Sequence, residues 1–244
     1  MFINKDTGCI ILAYVDDVLL IGNSKEKVAT LKATIMSKYR CYDLGAISHY
    51  LGIKVRRDRF ARKIELSMEP YIAKLVAEYG RESYTRDVPL HPKVLQQRKR
   101  SDVCDKDLLS KYQSIIGKLL YPAVQLRADV AFYVGFLARF MSNPTEEQYT
   151  YAFQIIDYLN AHKDLVITYQ GQLGELSIDM FVKGLIGYSD AAFADGEDRK
   201  STSGYNFNLA RGSICHKSRQ QSMVTTSTTE AEIIAITYAA KEAT

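Results

Sequence analysis

Asp16 and Asp17 stand side by side between two apolar runs, Cys9-Ile-Ile-Leu-Ala-Tyr14 and Val18-Leu-Leu-Ile21. The runs read as two strands of a hairpin, yet the turn lacks the Asn-Gly or Asp-Gly pair that tight hairpins favour. Adjacent like charges at a hairpin mouth repel, and burial worsens the repulsion unless cations lie between them. Nucleotidyl transfer uses such an arrangement: two magnesium ions about 3.5–4 Å apart, held by hard oxygen ligands. A solvated acidic turn accounts for the same two residues without any metal.

A second acidic group lies near the C-terminal end. Asp190 closes the apolar segment Leu185-Ile-Gly-Tyr188, and Asp195, Glu197 and Asp198 follow in a turn-like stretch whose spacing fails the calcium-loop pattern. Further on, Ser227-Thr-Thr-Glu-Ala-Glu232 opens a helix. Ser227 with Glu230 fits a capping box, as does Thr229 with Glu232. Two residues apart, the acids point about 200° from one another and cannot serve one site equally. Glu232 heads a stripe of Ala235, Ile236 and Ala239 expected to face the core, where a carboxylate needs a partner; it is the favoured site residue.

Basic residues gather at Arg56, Arg57, Arg59, Arg62 and Lys63, and again at Arg98, Lys99 and Arg100. Both clusters suit phosphate contact and equally suit a solvated surface. The tyrosines, 17 in number, fall mostly at core spacing and read as packing, Tyr14 excepted. His91, His162 and His216 read as structural or exposed.

The elements that position these groups follow from periodicity. After the first hairpin, Asn23 or Ser24 caps a helix to about Tyr39, with Val28, Leu31, Ile35 and Met36 at helical spacing. A second hairpin pairs His49–Val55 with Ala61–Leu66, with Arg56 to Arg59 at its tip. A helix from Met68 to Tyr79 stops at Gly80. A polar connection over 81–105 holds Pro89 and Pro92. Helices follow over Leu108–Tyr121, Ala128–Met141 and Thr145–Ala161, the last after Asn143-Pro144. The period then changes, with strands at Leu165–Tyr169, Leu185–Tyr188, Tyr205–Phe207 and Ser213–Cys215, and a final helix over Thr228–Ala243. The expected divisions are 1–80, 81–162 and 163–244.

Composition sets wide bounds. An apolar share of 47% and a charged share of 25% in 244 residues describe one large or two modest globular domains. Net charge is +4, which permits a polyanionic partner without requiring one. Cys9, Cys41, Cys104 and Cys215 are scattered, with no zinc-ligand spacing, and read as buried thiols of a reducing compartment. The longest apolar run falls short of a membrane span and the start lacks a secretion signal, so an intracellular location is expected.

Several motifs together resemble one family. Tyr14-Val-Asp-Asp17, Tyr42-Asp-Leu-Gly45, His49-Tyr-Leu-Gly-Ile53, Gly117-Lys-Leu-Leu-Tyr121 and Leu137-Ala-Arg-Phe-Met-Ser-Asn-Pro144 are similar to Pol polyproteins of copia-type retrotransposons. So are Tyr188-Ser-Asp-Ala191, Asp198-Arg-Lys-Ser-Thr-Ser-Gly-Tyr205, Lys217-Ser-Arg-Gln220 and Ser227-Thr-Thr-Glu-Ala-Glu232. Leu126-Arg-Ala-Asp129 departs from that family's Thr-Arg-Pro-Asp, and His216-Lys-Ser218 from its Trp-Lys-Ser.

The resemblance implies an α/β (α+β) fold. It comprises a partial polymerase palm, a helical thumb or connection, and the first half of an RNase H-like domain. It implies catalytic metal ligands at Asp16, Asp17, Asp190 and Glu232, with Mg2+ (or Mn2+) as cofactor. Nucleic-acid contacts fall at Tyr14, Val15, His49, Tyr50, Leu51, Gly52, Arg56, Arg57, Arg199 and Lys200. The implied partners are an RNA template, a DNA primer, their hybrid, dNTP and the remainder of Pol, with no membrane. Further acids of each site lie, in the family, on an upstream strand and beyond the first RNase H helix. This chain is therefore expected to be inactive alone, with a degenerate relic or a non-catalytic binding module as the other readings.

Overall fold

The computed structural model describes residues 1–91, 94, 105–171, 184–194 and 199–243. Among them, ten strands and six helices form a mixed α/β arrangement. The chain separates into two compact units, Met1–Leu51 and Gly52–Thr244. The division falls at 51/52, whereas the sequence suggested breaks after 80 and 162.

In Met1–Leu51, strands β1 (Phe2–Asn4), β2 (Cys9–Tyr14) and β3 (Asp17–Ile21) form an antiparallel sheet in that order. β1 carries no acid. Asn4 forms the first turn, its Oδ1 accepting from the amides of Asp6 and Thr7, each at 3.0 Å. Helix α1 (Lys25–Lys38) starts at Ser24, whose hydroxyl accepts from Lys27 N, so Ser24 rather than Asn23 is the cap. Gly22 permits the approach of helix to sheet: a Cβ there would lie 2.6 Å from Val28 Cγ2. Even so, α1 buries none of its residues. Asp43 of the Tyr-Asp-Leu-Gly motif binds Lys32 Nζ at 2.7 Å and accepts from Gly45 N at 2.8 Å. Those two bonds hold its carboxyl below the usual range. The short strand β4 (His49–Tyr50) follows.

Gly52–Thr244 opens with β5 (Ile53–Asp58) and β6 (Lys63–Ser67), an antiparallel hairpin. His49 and Tyr50 are not part of it, and Arg56 and Arg57 lie within β5, so the tip is residues 59–62. Both are corrections to the sequence reading. Leu51 (φ 50°) and Gly52 (φ 75°) are consecutive left-handed residues, which no strand accommodates.

The helices are α2 (Glu69–Glu78), α3 (Lys106–Gln125), α4 (Ala128–Ala138) and α5 (Glu146–Ala161). Together they enclose the core around Ile72, Leu75, Ile115, Leu119, Val134 and Ile155, all at most 3% exposed. Local signals set their starts. Asp105 accepts from Asp107 N and Leu108 N at α3, and Thr145 with Gln148 forms a complete capping box at α5. α4 ends three residues before the expected Met141.

Two polar networks fasten the bundle. Buried Arg127 forks onto Asp129 (2.7–3.2 Å) and donates to His162 O, while the Tyr158 hydroxyl donates to Asp129. Arg81 grips buried Asp157 at 2.6 and 2.7 Å, and Asn160 Nδ2 donates to the carbonyls of Arg81, Glu82 and Tyr84.

After α5, β7 (Val166–Gln170) returns to pair with β6, Lys63 opposite Gln170. A strand expected to begin a separate domain is thus joined to the earlier hairpin. Strands β8 (Ile186–Ala192), β9 (Lys200–Leu209) and β10 (Gly212–Val224) form an antiparallel sheet in the order β10-β9-β8. Helix α6 (Thr228–Glu242) packs on it through Ala231, Ala235 and Ala239, while Ile236 is 56% exposed, contrary to the expected stripe. β9 and β10 run well beyond the segments expected from apolar content, because Lys200–Gly204 and His216–Ser222 are polar throughout. Ser203, Gln221 and Thr225 are nevertheless buried, with Gln221 Nε2 donating to Ser203 Oγ and Ala231 O.

Candidate functional site

The acidic hairpin turns on Val15 and Asp16, with Tyr14 opposite Asp17 and Ala13 opposite Val18. Val15 has φ 50°, a left-handed conformation that costs a β-branched residue of order 1–3 kcal/mol. The strained turn holds both carboxylates in solvent, beside Tyr14 (59% exposed) and Val15 (87% exposed). Carboxylate oxygen is the right donor for a hard divalent ion, and magnesium in polymerase sites takes only one or two protein carboxylates, with substrate phosphates completing its shell. By donor type and number Asp16 and Asp17 fit such an ion. Among the described residues no group of three or more metal-ligating side chains is assembled.

The second pair lies along β8, an edge strand of its sheet. Asp190 lies on that strand opposite Gly204 of β9 and is exposed. Glu232 Oε1 accepts from the backbone N–H of Ala191, the next residue along, at 3.3 Å. Glu230 is occupied elsewhere: its amide donates to Ser227 Oγ, and its carboxylate accepts from Thr226 N and Oγ1. Those bonds from Thr226 hold its pKa below the usual carboxylate value. Helix α6 thus separates the two acids, Glu230 fixing its start and Glu232 reaching the strand that carries Asp190.

Strand alternation gives Asp190 the same face as Tyr188 and Ala192. A groove of about 410 Å³ runs there between α4 and the sheet, lined among others by Ala128, Phe132, Tyr188, Asp190, Asn206 and Lys217. Sequence reasoning missed this groove, because Phe132 and Asp190 are 58 positions apart and no local pattern joins them. Phe207 packs across Gly187, where a Cβ would come within 2.5 Å of the ring, so glycine lets β8 lie flat before Asp190.

Of the other expected contacts, His49 and Tyr50 form β4, and Leu51 and Gly52 the left-handed bend. The His49 ring contacts Ser48 Oγ at 3.3 Å. Arg56 lies 3.9 Å from Glu65, which Lys63 also binds at 2.5 Å, and Arg57 is exposed. Arg199 takes φ 55° at the entry to β9, which Lys200 begins. His216, standing for tryptophan, bonds Ala123 O through Nε2 at 2.7 Å, a structural tie between β10 and α3. Asp195, Glu197, Asp198, the run Arg98–Arg100 and Cys104 lie outside the described residues. Cys9 is buried, but Cys41 is exposed and Cys215 only half-buried, so the expectation of buried thiols holds for one of the three.

Comparison with known proteins agrees with the motifs. Residues 1–92 match the family described as reverse transcriptase (RNA-dependent DNA polymerase). The chain is 35% identical over 245 residues to the retrovirus-related Pol polyprotein from transposon TNT 1-94 of Nicotiana tabacum, covering 98% of this chain and 18% of that protein. It is 27% identical to a putative transposon Ty5-1 protein of Saccharomyces cerevisiae, over 94% of this chain and 72% of that one. A protein of Plasmopara viticola named secreted RxLR effector protein 161 is 35% identical over 133 residues, 54% of this chain and 88% of its own length. No solved structure matches. The chain belongs to the copia-type retrotransposon Pol family and spans less than a fifth of the tobacco polyprotein.

Proposed function

We propose that the chain is a reverse transcriptase segment that carries part of the polymerase metal site in Met1–Leu51 and part of an RNase H site in its C-terminal sheet. The observation that carries this reading is the strained hairpin tip, which presents Asp16 and Asp17 together to solvent inside the reverse transcriptase match. Bound Mg2+, or Mn2+ in its place, would supply charge stabilisation at an attacking 3′-oxygen and a leaving pyrophosphate. Asp16 is the stronger ligand and Asp17 its partner, with Tyr14 and Val15 bordering the primer end. His49 to Gly52 with Arg56 and Arg57 hold primer and template phosphates, and Arg199 and Lys200 those of the RNA–DNA hybrid. Asp190 and Glu232 supply two ligands of the nuclease, a reading supported by the bond from Ala191 N–H to Glu232, which ties that helix to the strand carrying Asp190. The site of action is within the cell.

The segment lacks further acids in either cluster among its described residues, so chemistry requires the remainder of Pol. That count also favours a second reading, a module that holds nucleic acid without chemistry. The test separates the clusters in a complete Pol. Asp16→Asn should reduce primer extension to background and spare hybrid cleavage, and Asp190→Asn should do the reverse. Normal extension by the first variant would remove Asp16 from the metal site. Salt-dependent hybrid binding without extension or cleavage, even with the flanking Pol restored, would favour the second reading.

A further inference from the structure

Phe60 is 97% exposed, the highest value among the exposed large apolar residues described. It sits at the tip of the β5–β6 hairpin, in the sequence Arg56-Arg-Asp-Arg-Phe-Ala-Arg-Lys63. The turn is built rather than frayed. Asp58 Oδ1 accepts from Ala61 N at 2.9 Å, Arg62 takes a left-handed φ of 51°, and Arg62 O accepts from Gly171 N at 2.9 Å. Leaving a phenyl ring in water forgoes the burial that normally favours such a side chain. Here a fixed turn holds the ring outward.

Charge at the same tip narrows the occupant. Five cations accompany one acid, and that acid, Asp58, has one oxygen engaged by the turn. Arg56 and Lys63 share Glu65. Arg57 and Arg59 have no carboxylate partner among the described residues. A ring flanked by guanidinium groups matches single-stranded nucleic acid, in which base faces and phosphates alternate.

We infer that the β5–β6 tip binds single-stranded nucleic acid, one base stacking on Phe60 while Arg57 and Arg59 take the adjoining phosphates. The assignment rests on the nucleic-acid reading of the chain and adds a base contact to it. Phosphate charge gives affinity and salt dependence; the ring gives the requirement for a base.

The test uses the full chain and fluorescein-labelled 20-mers of oligo-dT and of abasic deoxyribose phosphate, followed by anisotropy at several salt concentrations. Phe60→Ala should weaken oligo-dT binding about 5- to 150-fold, the range for loss of one stack. It should leave the abasic strand unchanged, and Phe60→Tyr should restore binding. Replacing Arg57 and Arg59 by Gln should weaken both strands alike and flatten the salt dependence. If the wild-type chain binds oligo-dT and Phe60→Ala binds it equally well, or loses both strands equally, the stacking assignment falls and the broader reading stands. If the wild-type chain binds neither strand at low salt, both fall. If Phe60→Ala instead loses only binding to phosphatidylserine vesicles, the tip is a membrane contact and the inference is overturned.

Discussion

In Gly52–Thr244, helices α2 to α5 seal Ile72, Ile115, Leu119, Val134 and Ile155 from solvent. In Met1–Leu51 the strands β2 and β3 are at least as apolar, yet Cys9 is the only buried residue. The helices of the larger unit carry apolar residues on one side and close on each other, so each supplies the cover another needs. β2 and β3 instead carry apolar residues at successive positions, the pattern of a sheet covered on both faces. Within that unit only α1 lies near, and a groove of about 470 Å³, lined by Phe2, Ile11 and Leu31 among others, separates it from β1 and β2. A sequence can therefore specify strands strongly while leaving their burial to other chain. The acidic hairpin sits on the thinly packed unit, and Asp190 and Glu232 sit on the packed one.

Three measurements would break or sharpen that contrast. The largest effect is expected from cavities: Leu119→Ala should cost about 2–5 kcal/mol, whereas Leu20→Ala in half-buried β3 should cost under about 1 kcal/mol. Urea denaturation of each variant measures both, and equal losses would show that the two units are stabilised alike.

A smaller, pH-dependent effect should come from Asp129. Burial alone would raise its pKa, but the Arg127 guanidinium and the Tyr158 hydroxyl outweigh burial and leave it lowered. The unfolded carboxyl, near 3.9, therefore takes up its proton before the folded one. The contribution is complete above about pH 4 and is lost as pH falls through the folded value. Asp129→Asn should lower stability at pH 7 and flatten the decline measured between about pH 4 and 2.

The smallest effect concerns the cap of α1. Ser24→Ala should destabilise that helix by about 1 kcal/mol or less. Hydrogen exchange should quicken in residues 25–38 and leave α3 and α5 protected; equally quickened exchange in those core helices would show that the units unfold as one.

Much of this architecture was legible in local patterns. The acidic hairpin, α1, α2, α3 and α5 follow from periodicity and from Ser24, Gly80 and Thr145, since caps and amphipathic spacing act within a few residues. The polar ends of β9 and β10 were not legible. Ser203, Gln221 and Thr225 look like loop residues until the sheet and α6 bury them and supply partners for Ser203, Thr225 and Gln221 Nε2. Phe60 was equally hidden, because exposure of an aromatic residue is visible only once the turn around it is built.

For the candidate sites the division is similar. Residue type and adjacency offered Asp16 and Asp17 as a metal pair alongside a solvated turn, and the family resemblance chose between the two readings. Helix geometry set Glu230 and Glu232 on different sides, with the expected stripe and the resemblance favouring Glu232. Which of those two reaches the strand that carries Asp190 was fixed by the packing of α6 against β8, through a bond to Ala191 N–H spanning 41 positions. The pairing of β7 with β6 across a bundle of helices, and the burial of Arg127 against the His162 carbonyl and the Asp129 carboxylate, were likewise tertiary outcomes. Short-range dihedral preference and side-chain period are written residue by residue, so the sequence alone determined the elements and the acids they carry. Burial and partner choice depend on which distant surfaces meet, and only the folded chain decides that.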